Sequence, residues 1–416
     1  MKWTSFLRVI LSRNFKQFIF KGDIKELEFE NLKNLGLYIH IPFCKNLCSF
    51  CPYQKVLYEE ELARNYKDAL IKEIKIVGEN LKEKKEIESL YFGGGTPALL
   101  IDYIKEILDT LELYFDIKNG IGIELHPNDI DENLIKKIKE LNINMISLGV
   151  QSFDENVLNV LGRKNKNIEE KIKLINKYNF DVFDIDLIFA IPTQNEKILK
   201  NDIKKAFDLG ATQISTYPFI DFTFANNNQK PLKEKEKKYM LNEIVKFCKK
   251  NQIKRTSVWT FAKPNTKKYS SITRDNFLGF GVSATTLLKD SFKINTFSIE
   301  NYIKRVDDFI LPTSLTLDFS KRQRAIYYLF WACYSMNISK KDFKYLIDKE
   351  LENMFYIELK ICEILKLIKK VDTGYILTNK GAYYYHYIEQ AYTTQYIDKM
   401  WNISRNIAFP NEIKLS

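Results

Sequence analysis

From about residue 36 onward, short apolar runs alternate with amphipathic helical patterns, and no other feature constrains the fold of this chain as much. Candidate strands lie at 36–41, 88–93, 121–125, 144–149, 181–188 and 212–217. Helical patterns near 59–82, 101–114, 130–141, 168–178 and 196–208 separate them. Consecutive parallel strands need a crossover, and a helix is the crossover that packs back onto the sheet. The pattern therefore predicts an α/β fold containing a partial (β/α)6 barrel. In parallel barrels the loops after the strands converge on one mouth, so chemistry belongs at the strand C-terminal ends.

Unusual residues fall at those ends. Cys44, Cys48 and Cys51 follow the first strand, Gly93-Gly94-Gly95-Thr96-Pro97 ends the second, and Glu124 ends the third. Gln151 follows the fourth, while Asp186 and Tyr217 lie late in the fifth and sixth. Residues that only stabilise a core have no reason to gather on one rim.

The cysteines carry the most chemistry. A 4Fe-4S cluster normally takes four thiolates, so three on one loop leave an iron open to a ligand that is not protein. A Cys3His zinc site using His40 is the competing reading, although in a strand His40 is expected to point away from the loop. Cys248, Cys333 and Cys362 stand alone in helical or apolar contexts and read as small buried hydrophobes.

Composition narrows the setting. A chain of 416 residues is long enough for a catalytic domain and a smaller partner. Hydrophobic content of 45%, with 29 Phe and 24 Tyr, fits a filled core and excludes a disordered chain. Few, clustered cysteines suit a reducing compartment, the cytoplasm, better than a disulfide framework. No apolar stretch approaches the roughly 18–20 residues that span a bilayer, and the N-terminus lacks a signal-peptide layout. The net charge of +11 suits an anionic substrate, nucleic acid or an acidic electron donor, and equally a lysine-rich solvated surface. Residues 1–22 interleave Trp3, Phe6, Leu7, Val9, Ile10, Leu11, Phe15, Phe18 and Phe20 with basic residues. An N-terminal helical extension over 1–30 is expected, packed on the core as a cap or amphipathic on a surface.

The segment Tyr38-Ile39-His40-Ile41-Pro42-Phe43-Cys44 through Cys51 resembles the cluster loop of radical S-adenosylmethionine enzymes. More narrowly, it is similar to the oxygen-independent coproporphyrinogen III oxidase family and its haem chaperone-like branch. The resemblance continues in order through Tyr91 to Pro97, Glu124-Leu125-His126-Pro127, Ser147 to Phe153, Leu161-Gly162-Arg163 and Asp186-Leu187-Ile188. Ser257 to Pro264 and Phe280 to Ala284 look like the family's late segments, so it covers roughly residues 35 to 300. Helices after about 315 and a hairpin turn at Asp372-Thr373-Gly374 resemble the family's winged-helix-like C-terminal domain, placed at 315–405 behind a barrel at 31–300. That domain is expected to cover the barrel mouth. No basic aromatic platform for nucleic acid is evident in it.

The resemblance implies a 4Fe-4S cluster on Cys44, Cys48 and Cys51. It also implies S-adenosylmethionine, as one molecule or, as in some members, two. Gly94, Gly95 and Thr96 would then serve the methionine amino group, and Glu124 an ammonium or ribose. Gln151, Arg163 and Asp186 would hold the remainder, while Tyr38 and Phe50 flank the cluster or stack on adenine. The plain alternatives are a glycine turn, a helix-end cation at Arg163 and two core aromatics. Flavodoxin or ferredoxin would supply electrons, and reductive cleavage would give a 5'-deoxyadenosyl radical acting on a tetrapyrrole or other planar small molecule. A class C radical methyltransferase on an aromatic substrate and a non-catalytic haem chaperone are the alternatives. Two departures bear on the choice. Tyr53 stands where the oxidase usually has a further cysteine, and Tyr269 to Asp275 lacks the chaperone branch's usual histidine. Only three histidines exist for acid/base work: His40, His126 and His386, the last in an aromatic helix and read as structural.

Overall fold

The computed structural model describes residues 17–225, 227, 229–267 and 275–415. Residues 1–16 of the expected N-terminal helix, and Tyr269 to Arg274, lie outside the described residues. Six parallel strands stand side by side in chain order: Leu35–Ile41, Leu90–Gly94, Ile121–Leu125, Met145–Gln151, Val182–Phe189 and Gln213–Pro218. Helices Glu60–Gly78, Ile101–Tyr114, Glu132–Glu140, Ile168–Asn176 and Glu196–Asp208 make the crossovers. The strands are buried along almost their whole length, as parallel strands covered on both faces must be. Asp131, Asp154 and Asn195 cap helices by accepting from backbone N–H groups of Leu134, Val157 and Ile198.

The sheet continues beyond the barrel strands. Asn276–Phe280 pairs parallel with the first strand, and Thr285–Leu287, Ser291–Asn295 and Thr313–Asp318 extend it antiparallel. Phe18–Lys21 and Glu412–Leu415 complete that edge, so the two ends of the described chain lie paired. This corrects the expectation of a helix over 1–30 for its described part. Phe18 and Phe20 alternate as strand residues do. Phe20 is buried with Ile294, Leu315, Leu317, Met400 and Ile413, which an available sheet edge made possible. At the other edge, Thr260–Ala262 and Lys254–Arg255 add antiparallel to the sixth strand.

After the sheet come helices Lys321–Tyr334, Lys340–Ile347 and Leu351–Ile364. A hairpin of Ile368–Val371 and Gly374–Leu377 follows, joined by Asn337–Ser339. Helix Asn379–Tyr392 then leads through a π-helical turn, Thr393–Ile397, into helix Asp398–Asn406. Phe343, Phe355 and Tyr385 share one continuous core with the barrel helices. Among the described residues no helix is long and apolar enough to cross a membrane.

Candidate functional site

The cysteine loop rests on the glycine segment. Gly95 N–H donates to the Ile41 carbonyl and Thr96 N–H to that of Phe43, both at 2.7 Å. A Cβ on Gly95 would lie 2.7 Å from the Phe43 oxygen and 3.0 Å from Cys44 Sγ. One on Gly94, at φ +115°, would lie 2.6 Å from the His40 ring. The space beside these glycines is thus filled by the cysteine loop and His40, so their smallness seats the loop. Thr96 Oγ1 lies 3.8 Å from Cys44 Sγ. Burial pushes the Cys44 thiol up to about 11, against the Thr96 hydroxyl, and raises that of Cys51.

His40 does not point away from the loop. Tyr38 Oη lies 3.0 Å from its Nδ1 and the Gln54 carbonyl 3.0 Å from its Nε2. That carbonyl can only accept, so Nε2 carries the proton and Nδ1 accepts from Tyr38. Burial lowers its pKa to about 4, so it stays neutral with both nitrogens engaged. Neither is left for a metal. Sequence reasoning placed it wrongly because the segment after Cys51 doubles back to meet it.

Inside the barrel, Glu124 accepts from Tyr91 Oη at 2.9 Å and from Gly94 N–H at 3.1 Å. Burial, then the neighbouring Asp186 carboxylate, raises its pKa to about 7. Asp186 accepts from Ser147 Oγ at 2.8 Å; burial raises it to about 6, opposed by Ser147 and the Arg163 charge. Asp184, two residues earlier on the same strand face, accepts from Ser215 Oγ at 2.7 Å. Arg163, only 8% exposed, has a buried Nε with no hydrogen-bond partner. Burial lowers its pKa, while the sulfurs of Cys48, Cys51 and Cys44 and the Asp186 carboxylate support its charge. It is therefore no surface helix-end cation. Gln151 is buried at φ +72°, its Nε2 2.9 Å from where a Gly149 Cβ would stand.

The aromatics divide. Tyr38 stacks on Tyr91 with centroids 6.3 Å apart, and the pair packs with Met145 and Val182 as a floor in the barrel interior. Phe50 packs on a separate apolar patch of Val157, Leu161, Ile188, Ile191 and Phe219, anchoring the cysteine loop to the far wall. Tyr217 meets Trp259 edge-on at 6.0 Å. His126 turns its Nδ1 to the Asn128 N–H, and His386 is buried against Trp259 Nε1 at 3.0 Å. Sequence reasoning missed Asp184, whose signal was an acidic residue at i−2 from Asp186 in an apolar strand. It also missed Arg405, which nothing local could have revealed.

A model of the radical SAM superfamily matches residues 38–206, from the strand before the cysteine loop through the helix after the fifth strand. The chain carries a radical SAM domain. That superfamily typically binds a 4Fe-4S cluster and S-adenosylmethionine. The heme chaperone HemW of Bacillus subtilis is 25% identical over 363 residues, covering 83% of this chain and 95% of that protein. The oxygen-independent coproporphyrinogen III oxidase of Synechocystis is 24% identical over 383 residues, covering 83% and 82%. The solved structure of the Escherichia coli coproporphyrinogen III oxidase HemN superposes with a TM-score of 0.77 at 21% identity, over 93% of this chain and 98% of that one. It shares the fold, partial barrel and C-terminal elements together.

The residues present fit the cofactors of a radical SAM domain. A loop bearing three cysteines faces a buried guanidinium with an unsatisfied N–H, and Lys55 donates to the Cys51 carbonyl at 2.8 Å. Positive charge around sulfur favours thiolates and an anionic cluster. None of the described cysteines is paired in a disulfide.

Proposed function

We propose that Cys44, Cys48 and Cys51 hold the 4Fe-4S cluster and that S-adenosylmethionine lies across Gly94, Gly95, Thr96, Glu124, Gln151, Arg163 and Asp186. The observation that carries this is the convergence of a three-cysteine loop, a rim carboxylate bound to a glycine N–H, and a buried arginine facing the sulfurs. With the cluster on Cys44, Cys48 and Cys51 and the cofactor beside it, the site would supply reductive cleavage of the sulfonium and, through it, hydrogen abstraction from a substrate carbon. Glu124, held by Tyr91 and Gly94, accepts hydrogen bonds from the cofactor's ammonium or ribose. Arg163 offers its free N–H to the carboxylate, and Ser147 fixes Asp186. The Tyr38–Tyr91 floor and Phe50 would help to keep water from the site.

The substrate class is a tetrapyrrole or a similar planar, anionic molecule, supported by relatives named for coproporphyrinogen and heme. In this reading residues 31–300 are the catalytic barrel and 315–405 its cover, working in the reducing cytoplasm with a flavodoxin- or ferredoxin-type donor. Anaerobic reconstitution, reduction and incubation with S-adenosylmethionine should yield 5'-deoxyadenosine in the wild type and none in Cys48→Ala. Accompanying S-adenosylhomocysteine would mark methyl transfer. Absence of both products from iron-loaded protein, over a panel of porphyrins, would overturn the enzymatic reading. The second reading, a haem chaperone, is favoured by the near-full-length match to HemW and by Tyr53 in place of a further cysteine. It predicts haem titration with little product.

A further inference from the structure

The helix Asp398–Asn406 reaches the segment just after Cys51, touching it directly at two points and through Phe297 at a third. Arg405 Nη2 donates to the Pro52 carbonyl at 2.8 Å, one residue past Cys51. Trp401 packs on Tyr53 with centroids 6.2 Å apart. Phe297, which meets Trp401 at 6.3 Å, accepts at its carbonyl from Gln54 Nε2 at 3.0 Å. The residues Pro52, Tyr53 and Gln54 are thus all held, and Gln54 in turn fixes His40.

The helix is itself tied down. At its start Asp398 accepts from both the N–H and hydroxyl of Thr223, at 2.9 and 2.7 Å, in the loop after the sixth strand. Beyond its end, Ser314 Oγ donates to the Ala408 carbonyl, and the Arg305 guanidinium lies 3.7 Å from the Phe409 ring centroid. Strand Glu412–Leu415 then joins the sheet. Arg405 is also held flat, its guanidinium 4.3 Å from the Phe224 ring and 6.0 Å from Phe297, with Nε buried. A planar guanidinium between rings, donating forward to a carbonyl, has a fixed direction that a lysine cannot reproduce.

We infer that helix Asp398–Asn406 is a strap that holds the Cys51 side of the cluster loop closed, with Arg405 as its positioning residue. The inference rests on the assignment of Cys44, Cys48 and Cys51 as cluster ligands. A strap from the sequence terminus makes cluster retention depend on C-terminal packing. The loop after the sixth strand, through Thr223 and Phe224, belongs to the same fastening.

The test is iron release from the reconstituted full-length protein into a strong iron chelator under anaerobic conditions, followed by mass mapping of iodoacetamide labelling in the cluster-free protein. Arg405→Met and Arg405→Lys should each release iron roughly tenfold faster than wild type, the factor expected from losing one charged hydrogen bond. Cys51 should be labelled faster in both, with Cys248 unchanged. Asn402→Ala, on the exposed side of the same helix, should behave as wild type. Urea midpoints separate a loosened loop from an unfolded chain, and Trp401→Leu serves as the second strap variant if an Arg405 variant fails to fold. Wild-type rates of iron release and Cys51 labelling in the strap variants would overturn the inference. Iron absent from the wild type itself would instead overturn the ligand assignment.

Discussion

Glu124 makes the proposed cofactor site sensitive to pH in a direction that can be worked out. Its pKa is raised from an ordinary 4.5 to about 7, by burial first and by Asp186 second. The ionised form is the one that accepts bonds from an ammonium or ribose, so binding of S-adenosylmethionine requires the proton to leave. With a pKa near 7, roughly one molecule in ten is ionised at pH 6 and nine in ten at pH 8. The apparent dissociation constant should therefore fall about tenfold between those values, following the linkage of one proton to binding. For folding the sign is opposite. The native state holds this proton more tightly than the unfolded chain between about 4.5 and 7, so Glu124 lowers stability as pH rises through that window. Calorimetric titration of reconstituted protein with S-adenosylmethionine, at pH 6, 7 and 8, gives the binding profile. Glu124→Gln keeps the shape and loses the charge. It should bind about 10- to 100-fold more weakly at pH 8, from the loss of a charge-assisted hydrogen bond, and its profile should be flatter. Asp186 titrates nearby at about 6, so the difference between the two profiles, and not the wild-type slope alone, is diagnostic. An unchanged slope in Glu124→Gln would refute the assignment of the proton to this residue.

Three further outcomes are expected. Cys48→Ala should lose bound iron while keeping the wild-type circular dichroism spectrum, and retention of full iron would remove Cys48 from the ligand set. Gly94→Ala forces a Cβ to 2.6 Å from the His40 ring at a φ of +115°. It should destabilise the protein by about 2 kcal/mol or more, and an unshifted urea midpoint would show that the loop yields without cost. Glu73, buried in helix Glu60–Gly78, accepts from Tyr302 Oη at 2.6 Å, Gly281 N–H at 2.7 Å and Asn295 Nδ2 at 2.8 Å. Glu73→Ala leaves the Tyr302 hydroxyl and the Gly281 N–H without their acceptor, Asn295 Nδ2 keeping the Gly281 carbonyl at 3.0 Å, and should cost roughly 3 kcal/mol or more; a loss under about 1 kcal/mol in urea melts would mean that water replaces the carboxylate.

The six parallel strands were legible because each is a short apolar run bounded by helical periodicity, and their ends differ from expectation by two residues or fewer. The antiparallel extension was not. Thr313-Ser314-Leu315-Thr316-Leu317-Asp318 looks like a half-polar surface segment, yet all but Asp318 are buried. Lys293 is 2% exposed, its Nζ satisfied by the carbonyls of Lys25 and Glu26. Pattern reasoning places a lysine in solvent, and only the folded arrangement of distant carbonyls permits its burial. The site shows the same division. Candidates marked by strand ends, such as Cys44, Glu124 and Asp186, can be singled out one at a time. Glu73 and Arg405 act through partners more than two hundred residues away along the chain, and no local pattern carries such a pairing.

The glycine segment shows how the two kinds of information combine. A triple glycine after a strand invites the inference that a ligand needs the space, and here Gly94 and Gly95 give that space to His40, the Phe43 carbonyl and Cys44. The cysteine loop is consequently clamped between backbone hydrogen bonds from Gly95 and Thr96 on one side and the contacts of Arg405 and Trp401 on the other. In the proposed reading, a loop held on both sides would lose less conformational freedom on binding a cluster through its three thiolates. Its stiffness then comes from the barrel and from the sequence terminus together. Substitutions in either should weaken iron retention while leaving the other clamp intact, and a double substitution, Gly94→Ala with Arg405→Met, should be additive in free energy only if the two clamps act independently. Coupling between them, seen as a deviation from that sum, would mean that the loop closes as one unit.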